Sequence, residues 1–337
     1  MKPYLFILLL SLPLFSLAQV PATIYAAQGA HVDNGVLSPQ TEIPNFPLLT
    51  GNVVTLSKKE NRKNLMKWLK DLDVADVRYN ETQQRNLYHL ATLFTHFRLY
   101  PLAMKCFFKT LKPDSLTTDD LPVTEKDEQL LESQIQEIGL DARKTKCKLV
   151  HAGDIVSVFN DGKQALAYAM VFHVKQPVRG KKKVFKLIYA GHTFITLVKY
   201  NTDSTYASIS FGFGPRKSNV LEATPIIPSA HSSFFNDAGY IADEVIGKFI
   251  SRRRFEKILR LTEQYEGVTY HLSTNNCTDF GLKAANIAGL EVSETHGKWP
   301  LGKGNNPGIT GESILLGKFT DKDTNNQNHL FIDTLKF

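Results

Sequence analysis

Residues 191–213, GHTFITLVKYNTDSTYASISFGF, decide the fold that we expect of this chain. Residues 192–200 and 205–213 are rich in β-branched and aromatic side chains, and the Asn-Thr-Asp connection at 201–203 is typical of a turn. Two strands joined by so short a connection pair in antiparallel fashion. The same composition predicts further strands at residues 154–159, 165–174, 184–189 and 244–250.

Helical patterns flank this predicted sheet on both sides. After it, residues 252–265 and 277–288 have helical spacing, and Gly289 is placed to end the second helix. Before it, helices are predicted to begin at Ser57, after Asn80 and at Pro101, with a fourth at residues 129–138. We therefore predict an α+β fold, an antiparallel sheet with packed helices, preceded by a small all-helical region. The predicted divisions are an irregular lead-in at 19–55, the helical region at 56–145, the α+β domain at 146–318 and a C-terminal tail at 319–337.

The first 18 residues have the pattern of a secretory signal peptide. Lys2 gives a positive start, an apolar run follows, and the Ser-Leu-Ala segment at 16–18 matches a small-x-small cleavage site. A membrane anchor is the alternative, but Ser11 and Pro13 interrupt a run shorter than the ~20 residues that a span needs. We expect cleavage after residue 18, no transmembrane segment in the mature chain, and export to the periplasm or the extracellular medium.

The excess positive charge lies in the second half of the chain. The 337 residues include 40 Lys and Arg against 33 Asp and Glu, a net charge of +7. Residues 146–337 hold 24 basic and 17 acidic residues, so this half carries the whole excess. Its basic runs at 181–183 and 252–254 lack interleaved aromatic residues, which argues against nucleic-acid binding. They are typical of solvated surface, or of peripheral contact with an anionic envelope surface.

Two segments carry the candidate chemistry. His192 starts a β-branched strand directly after Gly191, and Cys277 opens a predicted helix within residues 270–281, YHLSTNNCTDFG. The positive end of a helix dipole favours a thiolate, and an imidazole on a neighbouring strand can accept the thiol proton. Backbone N–H groups at the helix start can hold an oxyanion. This pattern indicates a cysteine hydrolase.

The order of these motifs resembles that of the circularly permuted papain-like enzymes, which include permuted relatives of NlpC-type cell-wall peptidases and the lecithin:retinol acyltransferase family. In those chains the histidine strand precedes the cysteine helix, as His192 precedes Cys277 by 85 residues here. The resemblance covers residues 150–315 and implies a permuted papain-like fold, with Cys277 as nucleophile and His192 as general base. It also implies a role near the oxyanion for Tyr270, and either the same role or helix capping for Asn276.

The family places a third polar residue on the strand that follows the histidine. In this chain that strand offers only Ser208 and Ser210, without a His, Asn, Gln or acidic residue. The sequence therefore departs from the family pattern, and it is compatible with a catalytic dyad or with an inactive copy of the site.

Other interpretations of the same residues stay open. Cys277 could be an inert core residue, and His192 a structural histidine on an apolar strand. A zinc site is disfavoured because the spacings His-x-x-x-His and Cys-x-x-Cys are absent, so we expect no metal and no cofactor. The chain has three cysteines; Cys106 and Cys147 are the candidate disulfide, and that pairing would leave Cys277 as the free thiol.

These patterns predict an exported thiol hydrolase that cleaves an amide in a peptide or a peptidoglycan stem. The acyltransferase relatives extend the substrate class to lipid esters. The alternative from a different class is a catalytically degenerate binding or scaffold protein of the cell envelope.

Overall fold

The computed structural model describes residues 81–111, 121–127, 129, 148–186, 189–299 and 302–334. All of them fall in one unit, Pro39–Phe337. The described helices are α1 (Glu81–His96), α2 (Tyr100–Thr110), α3 (Ala152–Ser157), α4 (Arg252–Tyr265), α5 (Cys277–Ala288) and α6 (Pro307–Leu315). The described strands are β1 (Lys148–Val150), β2 (Ala165–Lys175), β3 (His192–Asn201), β4 (Tyr206–Arg216), β5 (Ser229–Asn236), β6 (Glu244–Ile250), β7 (Tyr270–His271), β8 (Leu290–Val292), β9 (His296–Trp299), β10 (Gly302–Asn305), β11 (Phe319–Asp321) and β12 (Phe331–Thr334).

One antiparallel sheet organises the described part of the chain. Its strand order is β1-β5-β4-β3-β2-β6-β12, and the short strand β7 pairs with β5. Strand β3 lies in the middle, between β2 and β4. Two small antiparallel pairs, β9 with β10 and β8 with β11, lie outside this sheet. The predicted α+β class with a mostly antiparallel sheet is confirmed.

Helices cover both faces of the sheet. Successive residues of a strand point to opposite faces, so neighbouring residues of β3 contribute to two different cores. On one side, Phe194 and Val198 of β3 pack in a core with residues of α1 and α2 such as Phe94. On the other side, Ile195 of β3 packs in a second core with residues of α4, α5 and α6 such as Phe280. The predicted helical region and the predicted α+β domain therefore share a core.

Most of the strongly patterned elements are confirmed. Helix α1 begins directly after Asn80, and Pro101 lies in the first turn of α2. Helices α4 and α5 have the predicted bounds, with Gly289 as the left-handed cap of α5 at φ 86°. Strands β2, β3, β4 and β6 occupy the predicted positions within a few residues. The predicted signal peptide at 1–18, the lead-in at 19–55 and the helices at Ser57 and 129–138 lie outside the described residues, apart from residue 129 itself.

The prediction of a strand at residues 154–159 was wrong, since helix α3 occupies this position. Val156, Val158 and Phe159 suggested a strand, but the buried residues Ala152, Ile155 and Phe159 are spaced three and four apart, as on one helix face. The Asp154 carboxylate also accepts the His151 backbone N–H, which caps the first turn.

Two other sequence expectations need correction. In segment 184–189, the described residues form only an isolated bridge between Lys186 and Tyr189. The predicted tail at 319–337 contains β11 and β12, and β12 extends the main sheet by pairing with β6. None of the described helices combines the length and the apolar composition needed to cross a bilayer.

Candidate active site

His192 is the first residue of β3, and the glycine before it fixes how the chain enters the strand. Gly191 has φ 82°, a conformation that favours glycine. A Cβ atom at this position would also collide with the Lys175 carbonyl oxygen and lie 2.9 Å from Pro177 and Pro307 atoms. The backbone therefore requires glycine at position 191, and the histidine that follows it is the first residue of the strand.

Cys277 is the first residue of α5, and the start of this helix is held against β3. The Thr278 and Thr193 hydroxyl oxygens are 3.2 Å apart, which joins the first turn of α5 to the residue after His192. Cys277 itself is 6% exposed. The cysteine thus lies at the positive end of a 12-residue helix, close to the histidine strand.

Asn276 is the N-cap of α5. Its side-chain oxygen accepts the backbone N–H groups of Thr278 and Asp279 at 2.8 and 3.2 Å. Its amide nitrogen donates to the carbonyl oxygens of Leu272 and Asn305, both at 2.9 Å. Because the amide group is fully engaged by the backbone, the side chain acts as a cap and has no free donor for an oxyanion. The suggested oxyanion role of Asn276 is therefore not supported.

The hydrogen-bond partner of His192 is Asp237, a residue that the sequence did not identify. Its Oδ2 atom lies 2.8 Å from His192 Nε2, and Asp237 is 1% exposed. Cys277 is among the groups that raise the pKa of His192, which places the cysteine near the imidazole. The Cys277 Sγ atom itself lies 4.0 Å from Thr278 Oγ1. Asp237, His192 and Cys277 are thus brought together at one end of β3.

This environment determines the charge of the imidazole. Burial alone would lower the His192 pKa, but the Asp237 charge and hydrogen bond, together with Cys277, outweigh burial and raise the pKa to about 10. At neutral pH the ring is therefore held as an imidazolium between Asp237 and Cys277. Catalytic cysteines lie in electropositive surroundings of this kind.

Gly212 of β4 makes room for the contact between the aspartate and the histidine. A Cβ atom on Gly212 would lie 2.5 Å from Asp237 Oδ2 and 2.8 Å from His192 Nε2. Any larger residue would push these two atoms apart or displace the strand. The contact between Asp237 and His192 therefore explains why residue 212, in the Phe-Gly-Phe segment at 211–213, is a glycine.

Neither serine proposed as the third residue contacts the imidazole. Ser210 pairs with Thr196 and Ser208 with Val198, four and six residues along β3 from His192. At ~3.3 Å per residue this puts Ser210 about 13 Å along the strand from the histidine. The Ser210 hydroxyl bonds Thr196 Oγ1 at 2.7 Å, and its carbonyl oxygen accepts the Asp237 backbone N–H at 2.9 Å. Ser210 thus supports the backbone of the true partner.

The polar residue that meets His192 follows β5, one strand later than the family pattern suggests. The sequence signal was the Phe-Phe-Asn-Asp-Ala-Gly run at 234–239, in which two aromatic residues precede turn chemistry. A strand ending at Asn236 would have placed an acidic residue at the edge of the sheet. Strand β5 was missed because its Ser-Ala-His-Ser-Ser start lacks β-branched residues.

Tyr270 completes the site on the other side of the cysteine. The side chain and the backbone of Cys277 both influence the Tyr270 pKa, which places the phenol beside the cysteine. Burial, followed by the charges of Cys277 and Asp279, raises the Tyr270 pKa well above its ordinary value. The hydroxyl therefore keeps its proton and is available as a donor beside the cysteine.

A pair of tyrosines lies at the rim of the site. The hydroxyl oxygens of Tyr189 and Tyr240 are 2.7 Å apart, and the Tyr240 ring centroid lies 5.0 Å from that of His192. Tyr189 is 40% exposed. Burial raises the Tyr189 pKa, and the charges of Asp243 and Cys277 add to this effect.

The other predicted features are only partly described. Cys106 is buried in α2, whereas Cys147 lies outside the described residues, so their pairing stays a prediction. Within the described ranges, no group of three His, Cys, Asp or Glu is arranged to hold a metal ion. Of the basic runs, Arg252 pairs with Glu256 at 2.7 Å and Arg254 pairs with Asp323.

The geometry around Cys277 and His192 is thus the basis for assigning a function. Comparisons with family models, with curated proteins and with solved structures gave no match to this chain.

Proposed function

We propose that the protein is a thiol hydrolase of permuted papain-like fold, with Cys277 as nucleophile. The observation that carries the proposal is the grouping of Cys277, His192 and Asp237. A buried carboxylate bonds the imidazole at 2.8 Å, and the cysteine lies near enough to contribute to the raised pKa of the histidine. A structural cysteine has no need of an imidazole held as a cation by a buried aspartate. A cysteine nucleophile needs both, because the thiolate is the reactive form.

In the first half of the reaction the Cys277 thiolate attacks a carbonyl carbon. A C–S bond forms, and the electron pair of the carbonyl double bond moves to oxygen. When the tetrahedral intermediate collapses, the C–N bond of an amide breaks and the His192 imidazolium gives its proton to the departing amine. The product is a thioester on Cys277 and a neutral imidazole.

In the second half His192 acts as a base. It takes a proton from a water molecule, whose oxygen attacks the thioester carbon. The C–S bond then breaks, which releases the carboxylic acid and returns the thiolate and imidazolium. Asp237 holds the ring in one orientation and stabilises its positive charge in each cycle.

The proposed oxyanion site lies between the Tyr270 hydroxyl and the Cys277 backbone N–H. The N–H groups of Thr278 and Asp279 already bond the Asn276 cap, so they are not available to substrate. The Cys277 backbone lowers the Tyr270 pKa, which places the tyrosine hydroxyl near the Cys277 N–H. Both can turn to a developing negative charge, and donors of this kind lower the barrier for acyl transfer.

We propose an amide in a peptide or a peptidoglycan stem as the substrate, acting outside the cytoplasm after signal cleavage. The test is turnover of peptidoglycan stem fragments, with short-chain esters in parallel, by the wild type and by Cys277→Ala. A covalent acyl adduct on the wild type, seen by intact mass and absent from Cys277→Ala, would support the thioester mechanism. Equal turnover by both proteins would contradict it.

The rival function is a degenerate scaffold protein, and it makes a different prediction. A scaffold would show no acyl adduct with any substrate, and the Cys277 thiol would react slowly with alkylating reagents. The proposed enzyme keeps a reactive thiol even when its natural substrate is absent from the assay.

A further inference from the structure

We propose that the loop between β4 and β5, residues 217–228, is a docking element for an anionic lipid bilayer surface. This apolar loop presents four aliphatic side chains to solvent. Val220 is 84% and Ile226 71% exposed, and Leu221 and Ile227 are also exposed. A cluster of this kind is unusual on a soluble surface and marks an interaction site.

The apolar loop is an ordered structure. The Ser218 backbone N–H and hydroxyl donate to the two Glu222 carboxylate oxygens at 2.7 and 2.5 Å. The Asn219 side chain accepts the Leu221 backbone N–H at 2.9 Å, and the Thr224 N–H bonds the Ile227 carbonyl oxygen at 3.1 Å. Because many of the polar groups are satisfied within the loop, its tip can enter a lipid interface at low cost in lost hydrogen bonds.

The charges next to the aliphatic residues favour a negatively charged surface. Arg216 and Lys217 are both exposed at the start of the loop, and Glu222 is the acidic residue within it. The Glu222 carboxylate is engaged by Ser218. The half of the chain that carries the loop has 24 basic and 17 acidic residues. Exposed aliphatic groups bordered by basic residues are the pattern that binds anionic membranes.

The position of the loop relates it to the candidate active site. The Pro228 carbonyl oxygen accepts the Leu272 backbone N–H at 2.9 Å, and Ala230 pairs with Tyr270 in the β5–β7 ladder. Tyr270 lies beside Cys277. The end of the apolar loop is therefore attached to the segment that leads into the cysteine. Docking would place the entrance of the site near a membrane surface, whether or not the site is catalytic.

The test is flotation of the full chain with vesicles of phosphatidylcholine alone, or with about a third phosphatidylglycerol. We expect the wild type to float with the anionic vesicles, and less so when 0.5 M salt screens the charges. The double variant Val220→Ser/Ile226→Ser should partition about tenfold more weakly, because it loses two apolar side chains that would otherwise be buried. Arg216→Gln/Lys217→Gln should lose the preference for anionic over neutral vesicles.

The matched control is Leu316→Ser, which removes an aliphatic residue that is 59% exposed after α6. It should float like the wild type. Val220→Trp provides a second measurement, since quenching of its fluorescence by brominated lipids reports insertion of the loop itself. Three results would overturn the proposal. The first is equal flotation of the double variant and the wild type, and the second is the absence of quenching at position 220. The third is a wild type that binds no vesicles but self-associates, when the double variant does not self-associate.

Discussion

His192 Nε2 and Asp237 Oδ2 lie 2.8 Å apart, although His192 starts β3 and Asp237 directly follows β5, which is not a neighbour of β3 in the sheet. Strand β4 lies between β3 and β5, and the contact passes across it at Gly212. The carboxylate is buried and the imidazole stays near the cysteine. The pair therefore explains both the high pKa of the histidine and the glycine on the strand between them.

Replacing Asp237 by Asn should lower kcat/KM about 100-fold, because the amide cannot stabilise the imidazolium. The His192 pKa should also fall from about 10, since the negative charge that raises it is gone. The alkaline limb of the pH–rate profile should then move to lower pH by more than one unit. Ser210→Ala is the control, because it removes a buried hydroxyl near Asp237 and leaves the carboxylate in place. A larger effect of Ser210→Ala would contradict this assignment.

Gly212→Ala should disrupt the site with a limited loss of stability. The new Cβ atom would press on Asp237 Oδ2 and His192 Nε2, so we expect kcat/KM to fall more than about tenfold and the free energy of unfolding by about 1–3 kcal/mol. Gly153→Ala is the matched control, since no heavy atom lies within 4 Å of its Cβ position in α3. Chemical denaturation and kinetics on both variants check this, and an active Gly212→Ala protein would show that the contact is dispensable.

Tyr270→Phe should show whether the Tyr270 hydroxyl stabilises the oxyanion of the transition state or activates the Cys277 thiol. Without the hydroxyl, kcat should fall by about 100- to 1000-fold, as for loss of one oxyanion donor. The alkylation rate of Cys277 at neutral pH should change much less, because His192 and Asp237 are intact. If the two rates fell in parallel, the hydroxyl would be acting on the thiol and not on the oxyanion.

Glu244 should give the folded protein a pH-dependent stability. This residue is buried, and its Oε2 atom has no hydrogen-bond partner among the described residues. Burial and then Asp243 raise its pKa from 4.5 to about 8. The folded state therefore binds more protons than the unfolded state between these values, and stability falls as pH rises from 4.5 to 8.

Glu244→Gln removes this titration. Between pH 5 and pH 9, the wild type should lose about 4 kcal/mol of unfolding free energy relative to the variant. Glu263→Gln, an exposed change on α4, should follow the wild type. Urea denaturation at the two pH values measures the difference, and parallel curves for the wild type and Glu244→Gln would exclude a raised Glu244 pKa.

The sequence was most informative where one physical pattern dominated. Strand β3 and helix α5 have strong periodicity and clear end signals, so His192 and Cys277 could be placed at their starts. The capping of α5 by Asn276 followed from the same signals. Tyr270 was also recognised as a neighbour of the cysteine.

The features that the sequence did not predict correctly depend on tertiary structure. Asp237 lies 45 residues from His192 in the chain, and only the order of strands in the sheet brings them together. Ser210 was chosen because β4 follows β3 in sequence, whereas the register places it about 13 Å along the strand from the imidazole. Helix α3 was missed because β-branched residues outweighed the helical spacing of Ile155 and Phe159.

The central claim is that His192 holds Cys277 as a reactive thiolate. The most direct measurement is the alkylation rate of Cys277 by iodoacetamide at pH 6, followed by mass spectrometry of the tryptic peptide 261–283, which contains neither of the other two cysteines. We predict that the wild type reacts at least about 100-fold faster than His192→Asn, because the variant loses the positive charge that the account places beside the sulfur. Equal rates in the two proteins, or a wild-type thiol that reacts no faster than free cysteine, would contradict the account.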